Sequence, residues 1–214
     1  MAAATTQTRA DTEADLGEET PRPYRMTVEI YEKIVAAGVF GDTSPLFLWK
    51  GRLVLPMTKG PDHENALATL LALTMQMVPD GWHVRPGSPV SMRNDSEPEP
   101  DLVILRGAIR DYRKRTPRAI DVPLAIEISD SSLRYDSGEK RSTYAAASIP
   151  VYWIVNIPKT RIDVFTAPSG PTEAPSYAEH KEYGPDDDVP VVLDGREVGR
   201  IPVREVLLQA EPGV

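Results

Sequence analysis

Leu124-Ala-Ile-Glu-Ile-Ser129 sets one carboxylate, Glu127, inside a short run that is otherwise apolar and rich in isoleucine. A run of this length and composition reads as a strand covered on both faces. An ionised carboxylate in such a place is costly unless a partner or a metal compensates it. A second run of the same character, Asp101-Leu-Val-Ile-Leu105, lies upstream and begins on an acid. If the two strands are neighbours in a sheet, their acids can converge on one spot.

Downstream of Glu127, Asp136 and Glu139 have capping-box spacing and predict a helix to about Ala147. Residues 149–156 follow as another strand, and the succession of strand, helix and strand predicts a right-handed crossover. Residues 161–166, 177–182, 189–193 and 197–201, the last two about an Asp194-Gly195 turn, read as antiparallel strands, and Pro202 can start a closing helix.

Upstream, Ala66, Leu67, Leu70, Leu71 and Thr74 recur at a helical period over 62–78, with Asp62 as the expected N-cap and Pro79-Asp80-Gly81 as the stop. Two extended pieces, 82–85 and 88–92, and a polar loop over 94–100 separate that helix from Asp101. Nearer the start, Thr27 caps a short helix that puts Val28, Tyr31, Ile34 and Val35 on one face and stops at Gly38. Residues 46–49 and 53–55 flank Lys50-Gly51 as a hairpin. Residues 1–22 are expected to be a flexible acidic tail, 23–209 one mixed α/β domain, and 210–214 a second loose end.

The 214 residues contain no cysteine, which removes disulfides, thiolate metal sites and a cysteine nucleophile. His63, His83 and His180 lack metal-ligand spacing, so any metal is expected to be hard and held by oxygen. No apolar run approaches the roughly 18 residues of a membrane span, and no basic patch leads into an apolar stretch at the start; the expected location is the cytoplasm. The net charge of −8 is uneven: residues 21–170 hold nineteen bases against seventeen acids. Within them Arg106, Arg110, Arg113, Lys114, Arg115 and Arg118 cluster around Tyr112, a segment able to meet phosphates whatever the total charge.

Asp101 and Glu127, brought together, can share one Mg²⁺ or Mn²⁺, with the main-chain carbonyl of Ile128 as a further ligand. Phosphodiester hydrolysis also needs a group that orients water or offsets the developing negative charge, and a lysine beside the ion can do either. Lys140 is the candidate. Helical side chains lean toward the N-terminus, so its ammonium would point back at the loop that leaves the Glu127 strand. Tyr144 follows one turn later on the same face.

The stretches 124–132, Tyr135-Asp-Ser-Gly-Glu-Lys140, Tyr144-Ala-Ala and 149–156 closely resemble the Uma-type restriction endonucleases of bacteria, a branch of the PD-(D/E)XK nuclease superfamily. The likeness extends to Glu99-Pro-Asp-Leu-Val103 and more loosely to Gly51-Arg-Leu-Val54 and His63, over roughly 26–208. It implies a restriction-endonuclease-like core, a central mixed sheet flanked by helices with an N-terminal helix and hairpin added. It implies also that Asp101 is the aspartate of the Pro-Asp half and Glu127 the acid of the second half. The lysine that usually stands two residues beyond that acid is replaced by Ser129, and Lys140 on the helix takes its part. Relatives often carry an acid near the first hairpin where this chain has Phe47.

The resulting expectation is a DNA endonuclease using Mg²⁺ or Mn²⁺, acting as a homodimer, with Asp101, Glu127 and Lys140 catalytic and no organic cofactor. Its counterpart is a nuclease-fold module that binds nucleic acid or a protein partner without cutting. A pair of glycosidase carboxylates is a third reading, weakened by the lack of an aromatic sugar platform. His63 reads as a surface imidazole or an accessory group, and Ser129 as a hydroxyl near the metal or a strand-end residue. Tyr144 reads as a packing residue whose hydroxyl can reach the site. Arg106, Arg110, Arg113, Lys114 and Arg115 read as a solvated loop or a DNA contact.

Overall fold

A computed structural model describes residues 22–41 and 46–207. All but the last residue of the expected acidic tail, and the C-terminal end from 208, lie outside the described residues. The core is a six-stranded sheet in the order β3 (Trp82–Pro86), β4 (Leu102–Arg106), β5 (Leu124–Ser129), β6 (Val151–Asn156), β7 (Arg161–Pro168) and β8 (Tyr177–Tyr183). Only β5 and β6 run parallel; the other neighbours are antiparallel. This is the mixed sheet expected, with the crossover helix between its parallel pair.

Alternation along β4, β5 and β6 explains why these runs are continuously apolar. Leu102, Ile104, Leu124, Ile126, Ile128, Trp153 and Val155 enter one core with Ala66 and Leu70 of α2 (Pro61–Met77). Val103, Leu105, Ala125, Tyr152 and Ile154 enter the other with Tyr144 of α4 (Arg141–Ala146). Each large aliphatic side chain so buried contributes about 1.5–3 kcal/mol. The hairpin β9 (Asp188–Leu193) and β10 (Arg196–Pro202), followed by α5 (Val203–Val206), adds Val189, Val191, Ile201 and Val206 to the α2 side. Asp194 and Gly195 both have positive φ there, as the two-residue turn requires.

The N-terminal part is α1 (Val28–Ala36), capped by the Thr27 hydroxyl, and a hairpin of β1 (Phe47–Trp49) and β2 (Arg52–Val54). Three local expectations need correction. The cap of α2 is Gly60, not Asp62, because Pro61 is preset for the first helical position and lacks an N–H to satisfy. Asp136 caps nothing: helix begins at α3 (Leu133–Tyr135), continues as a π-turn over Asp136–Lys140 and resumes as α4. Residues 88–92 form isolated bridges at Ser91 and Met92 and no strand. Among the described residues no helix is long and apolar enough to cross a membrane.

Candidate active site

Antiparallel register between β4 and β5 pairs Leu102 with Ile126. Continued by one residue, it sets Asp101 beside Glu127 at the end of the sheet where β5 and β6 finish. Asp101 Oδ2 accepts the Ile128 N–H at 2.8 Å, which ties the start of one strand to the end of the other. Its Oδ1 lies 2.9 Å from the Lys59 ammonium and 3.1 Å from His63 Nε2. Burial works to raise the Asp101 carboxyl, but the hydrogen bonds from His63 and Ile128 and the Lys59 charge outweigh it and hold the group down at about 2.

Glu127 is 2 % exposed. Its Oε1 accepts the Tyr144 hydroxyl at 2.5 Å, and its Oε2 lies 2.9 Å from Lys140 Nζ. Burial pushes the carboxyl up to about 8, against the Lys140 charge and with further repulsion from Asp101 and Asp136. Lys140 stays protonated: burial lowers its affinity for the proton, yet Glu127 and Asp136 raise it by more.

The π-turn brings Asp136 and Lys140 together, Oδ1 to Nζ at 3.2 Å. Single π-turns inside helices recur at functional sites because the extra residue re-aims the side chains that follow. Asp136 is buried, and its Oδ2 accepts hydroxyl hydrogens from Ser129, at 2.7 Å, and from Ser132. Ser129 is therefore linked to Lys140 through Asp136.

An open cavity of about 910 Å³ lies between the sheet end, the β1–β2 hairpin and the loop into α2. Asp101, Glu127 and Lys140 line it, as do Lys59 and His63. The donors suit a hard divalent ion. They are carboxylate oxygens, and ammonium and imidazole groups that an ion can displace now compensate them; Lys59 is 40 % exposed and has room to move away.

The basic run lies elsewhere. Arg106 is at the other end of β4 from Asp101, paired with Asp194, and Arg115 pairs with Asp121 while its guanidinium covers the Tyr112 ring. Arg110, Arg113 and Lys114 are exposed, and none of the five lines the cavity. Their closeness in sequence shows which residues share a loop, whereas the direction of β4 decides which end of the sheet that loop occupies.

Sequence reasoning passed over Lys59, which sits in an aperiodic loop and offers no local signal. It also passed over Asp136 as a site residue, although its i,i+4 spacing to Lys140 was a legible cue. Among the described residues the tightest acid and imidazole group is Asp163, His180 and Glu182 on β7 and β8. Arg161 already bridges Asp163 at 3.0 Å and Glu182 at 2.6 Å, so that group is compensated by an arginine and lies outside the cleft.

The sequence model of the Uma2 family, described as "Putative restriction endonuclease", matches residues 25–197. A search of curated proteins finds no match. Among solved structures, a chain from Anabaena variabilis ATCC 29413 described as "a putative nuclease belonging to DUF820" superposes with a TM-score of 0.58 at 12% identity. The match covers 76% of this chain and 89% of that one, and shows a common fold.

Proposed function

The chain belongs to the Uma2 family, and from that premise we propose that it is a divalent-metal-dependent endonuclease that hydrolyses DNA phosphodiester bonds in the cleft bounded by Asp101, Glu127 and Lys140. One observation carries the proposal: two buried acids from neighbouring strands and a lysine from the crossover helix, 13 % exposed, face one cavity. Packing alone has no use for such a set, since each charge costs desolvation that an apolar side chain would avoid.

In this reading the Asp101 and Glu127 carboxylates and the Ile128 carbonyl would hold Mg²⁺ or Mn²⁺. The bound ion supplies charge stabilisation at the scissile phosphate. Lys140, its ammonium turned from Glu127 toward the cleft, donates to a phosphate oxygen or orients the attacking water. Asp136 positions Lys140, and the Tyr144 hydroxyl fixes the orientation of the Glu127 carboxyl. Lys59 and His63, which hold Asp101 Oδ1, would be two donors available to the substrate with that oxygen on a metal. Arg110, Arg113 and Lys114 can reach phosphates only of a strand that continues past the far end of β4. For a duplex target, a two-fold homodimer would present one site to each strand.

A non-cutting module is the second reading. It draws on the pairing of Asp101 with Lys59 and of Glu127 with Lys140, cations of the chain itself. Incubating the purified chain with single-stranded and duplex DNA and RNA, in Mg²⁺, Mn²⁺ or chelator, decides between them. Metal-dependent cleavage of DNA that disappears in Lys140→Ala and Glu127→Gln supports the enzyme. Binding without cleavage in every metal favours the module.

A further inference from the structure

One wall of the cleft has no counterpart in phosphodiester chemistry. Strand alternation in the β1–β2 hairpin turns Phe47, Trp49, Arg52 and Val54 to the cavity and sends Leu48 into the interior. The aromatic rings continue inward as a path: Phe47 to Trp49 at 6.5 Å, Trp49 to Tyr135 at 5.5 Å, and the Lys140 ammonium 5.5 Å over the Tyr135 ring. Beside it Leu55 and Met57 line the same cavity at 68 % and 48 % exposure, apolar surface left in water. Arg52 is exposed and has no ion-pair partner among the described residues, and Arg25 and Lys59 line the same cleft.

We infer that this wall receives an unpaired strand of DNA, its bases against Phe47, Leu55 and Met57 and its backbone along Arg52 and Lys59 to the acids and lysine of the floor. The inference rests on the nuclease reading above and names its substrate class. In a duplex the faces of the bases are stacked against one another, and only groove edges and phosphates remain for contact. An apolar and aromatic wall gains nothing from such a surface. An unpaired strand exposes π faces that stack on aromatic side chains whatever their sequence, while its phosphates follow a basic track. The size agrees: small-ligand pockets span about 300–1,000 Å³, so the 910 Å³ cleft has room within it for a nucleotide or so.

The test is fluorescence anisotropy in chelator with three 12-nucleotide probes: a fluorescein-labelled oligothymidylate, a hairpin duplex, and an abasic strand with the same phosphates. The expected result is binding of the single strand about ten-fold tighter than either other probe. Phe47→Ala lowers single-strand affinity about ten-fold and leaves the duplex unchanged. Arg52→Ala reduces the slope of log affinity against log salt by about 0.7. Should Phe47→Ala not fold, Leu55→Asp at the neighbouring exposed position reads the same wall. Equal or tighter binding of the duplex or the abasic strand, no response to the wall variants, or no binding at all overturns the inference. The two readings fail separately: a strand bound as expected yet never cut in any metal removes the nuclease, whereas metal-dependent duplex cleavage indifferent to Phe47→Ala removes the unpaired strand.

Discussion

The Lys140 ammonium lies 2.9 Å from Glu127 Oε2, a contact between the π-turn of a helix and the middle of a strand thirteen residues earlier. Glu127 is buried and Lys140 is only 13 % exposed, so each is the nearest compensation for the other's charge. The stability of the site turns on this pair, and so does the chemistry proposed for it.

Replacing Lys140 by Ala leaves Glu127 and Asp136 without their cation. The expected loss is about 3 kcal/mol, or a melting temperature lower by roughly 6–12 °C, together with loss of any cleavage. The stability loss should be smaller at pH 5 than at pH 8, since Glu127 can then take a proton. A thermal scan at both pH values checks it; no difference between them would count against the coupling.

Stability in chelator should vary with pH in a defined direction. Unfolded, Glu127 ionises near 4.5, and folded only near about 8, so across that window the folded state holds the extra proton. Stability therefore falls as pH rises from 4.5 to 8. Asp101 acts in the opposite sense, its contribution complete above 3.8 and lost as pH falls toward about 2. The wild type should lose about 3.5 kcal/mol, or roughly 7–14 °C of melting temperature, between pH 5 and 8. Glu127→Gln should flatten that slope, and an unchanged slope in the variant would place its origin elsewhere.

A divalent ion that binds only the folded chain raises stability by mass action. At an ion concentration about a hundred times its dissociation constant the gain is about 2.7 kcal/mol, or roughly 5–10 °C. Mn²⁺ or Mg²⁺ at neutral pH should produce such a rise in the wild type and none in Asp101→Asn or Glu127→Gln. Calorimetry that finds no ion bound, with DNA or without it, would remove the metal from the proposal.

Lys59 competes with an incoming ion for Asp101 Oδ1. The pair is partly exposed and correspondingly weak, so Lys59→Ala should tighten Mn²⁺ binding by about three- to five-fold. Weaker binding in titration calorimetry would mean that the lysine helps to build the site rather than occupying it.

The sequence by itself determined the strands of the central sheet and both hairpins, and it singled out two acids inside apolar runs, because those depend on local pattern. Continuous apolar runs such as 124–129 can exist only where both faces are covered, and a carboxylate inside one stands out whatever surrounds it. The turns at Lys50-Gly51 and Asp194-Gly195 were legible for the same reason, since positive φ at both residues is a local demand. What each acid would meet was decided by the tertiary structure. Asp136 carries a capping signature in sequence, yet the chain spends its carboxylate on Ser129, Ser132 and Lys140, because the Lys140 ammonium between Glu127 and Asp136 needs it and the helix can begin three residues earlier. Lys59, His63 and the Phe47 wall reach the site across intervals of 42, 38 and 54 residues from Asp101, and no pattern within a helix or strand encodes an approach over such a distance. It follows from the β4–β5 register and from where the hairpin docks, both set by packing of the whole core.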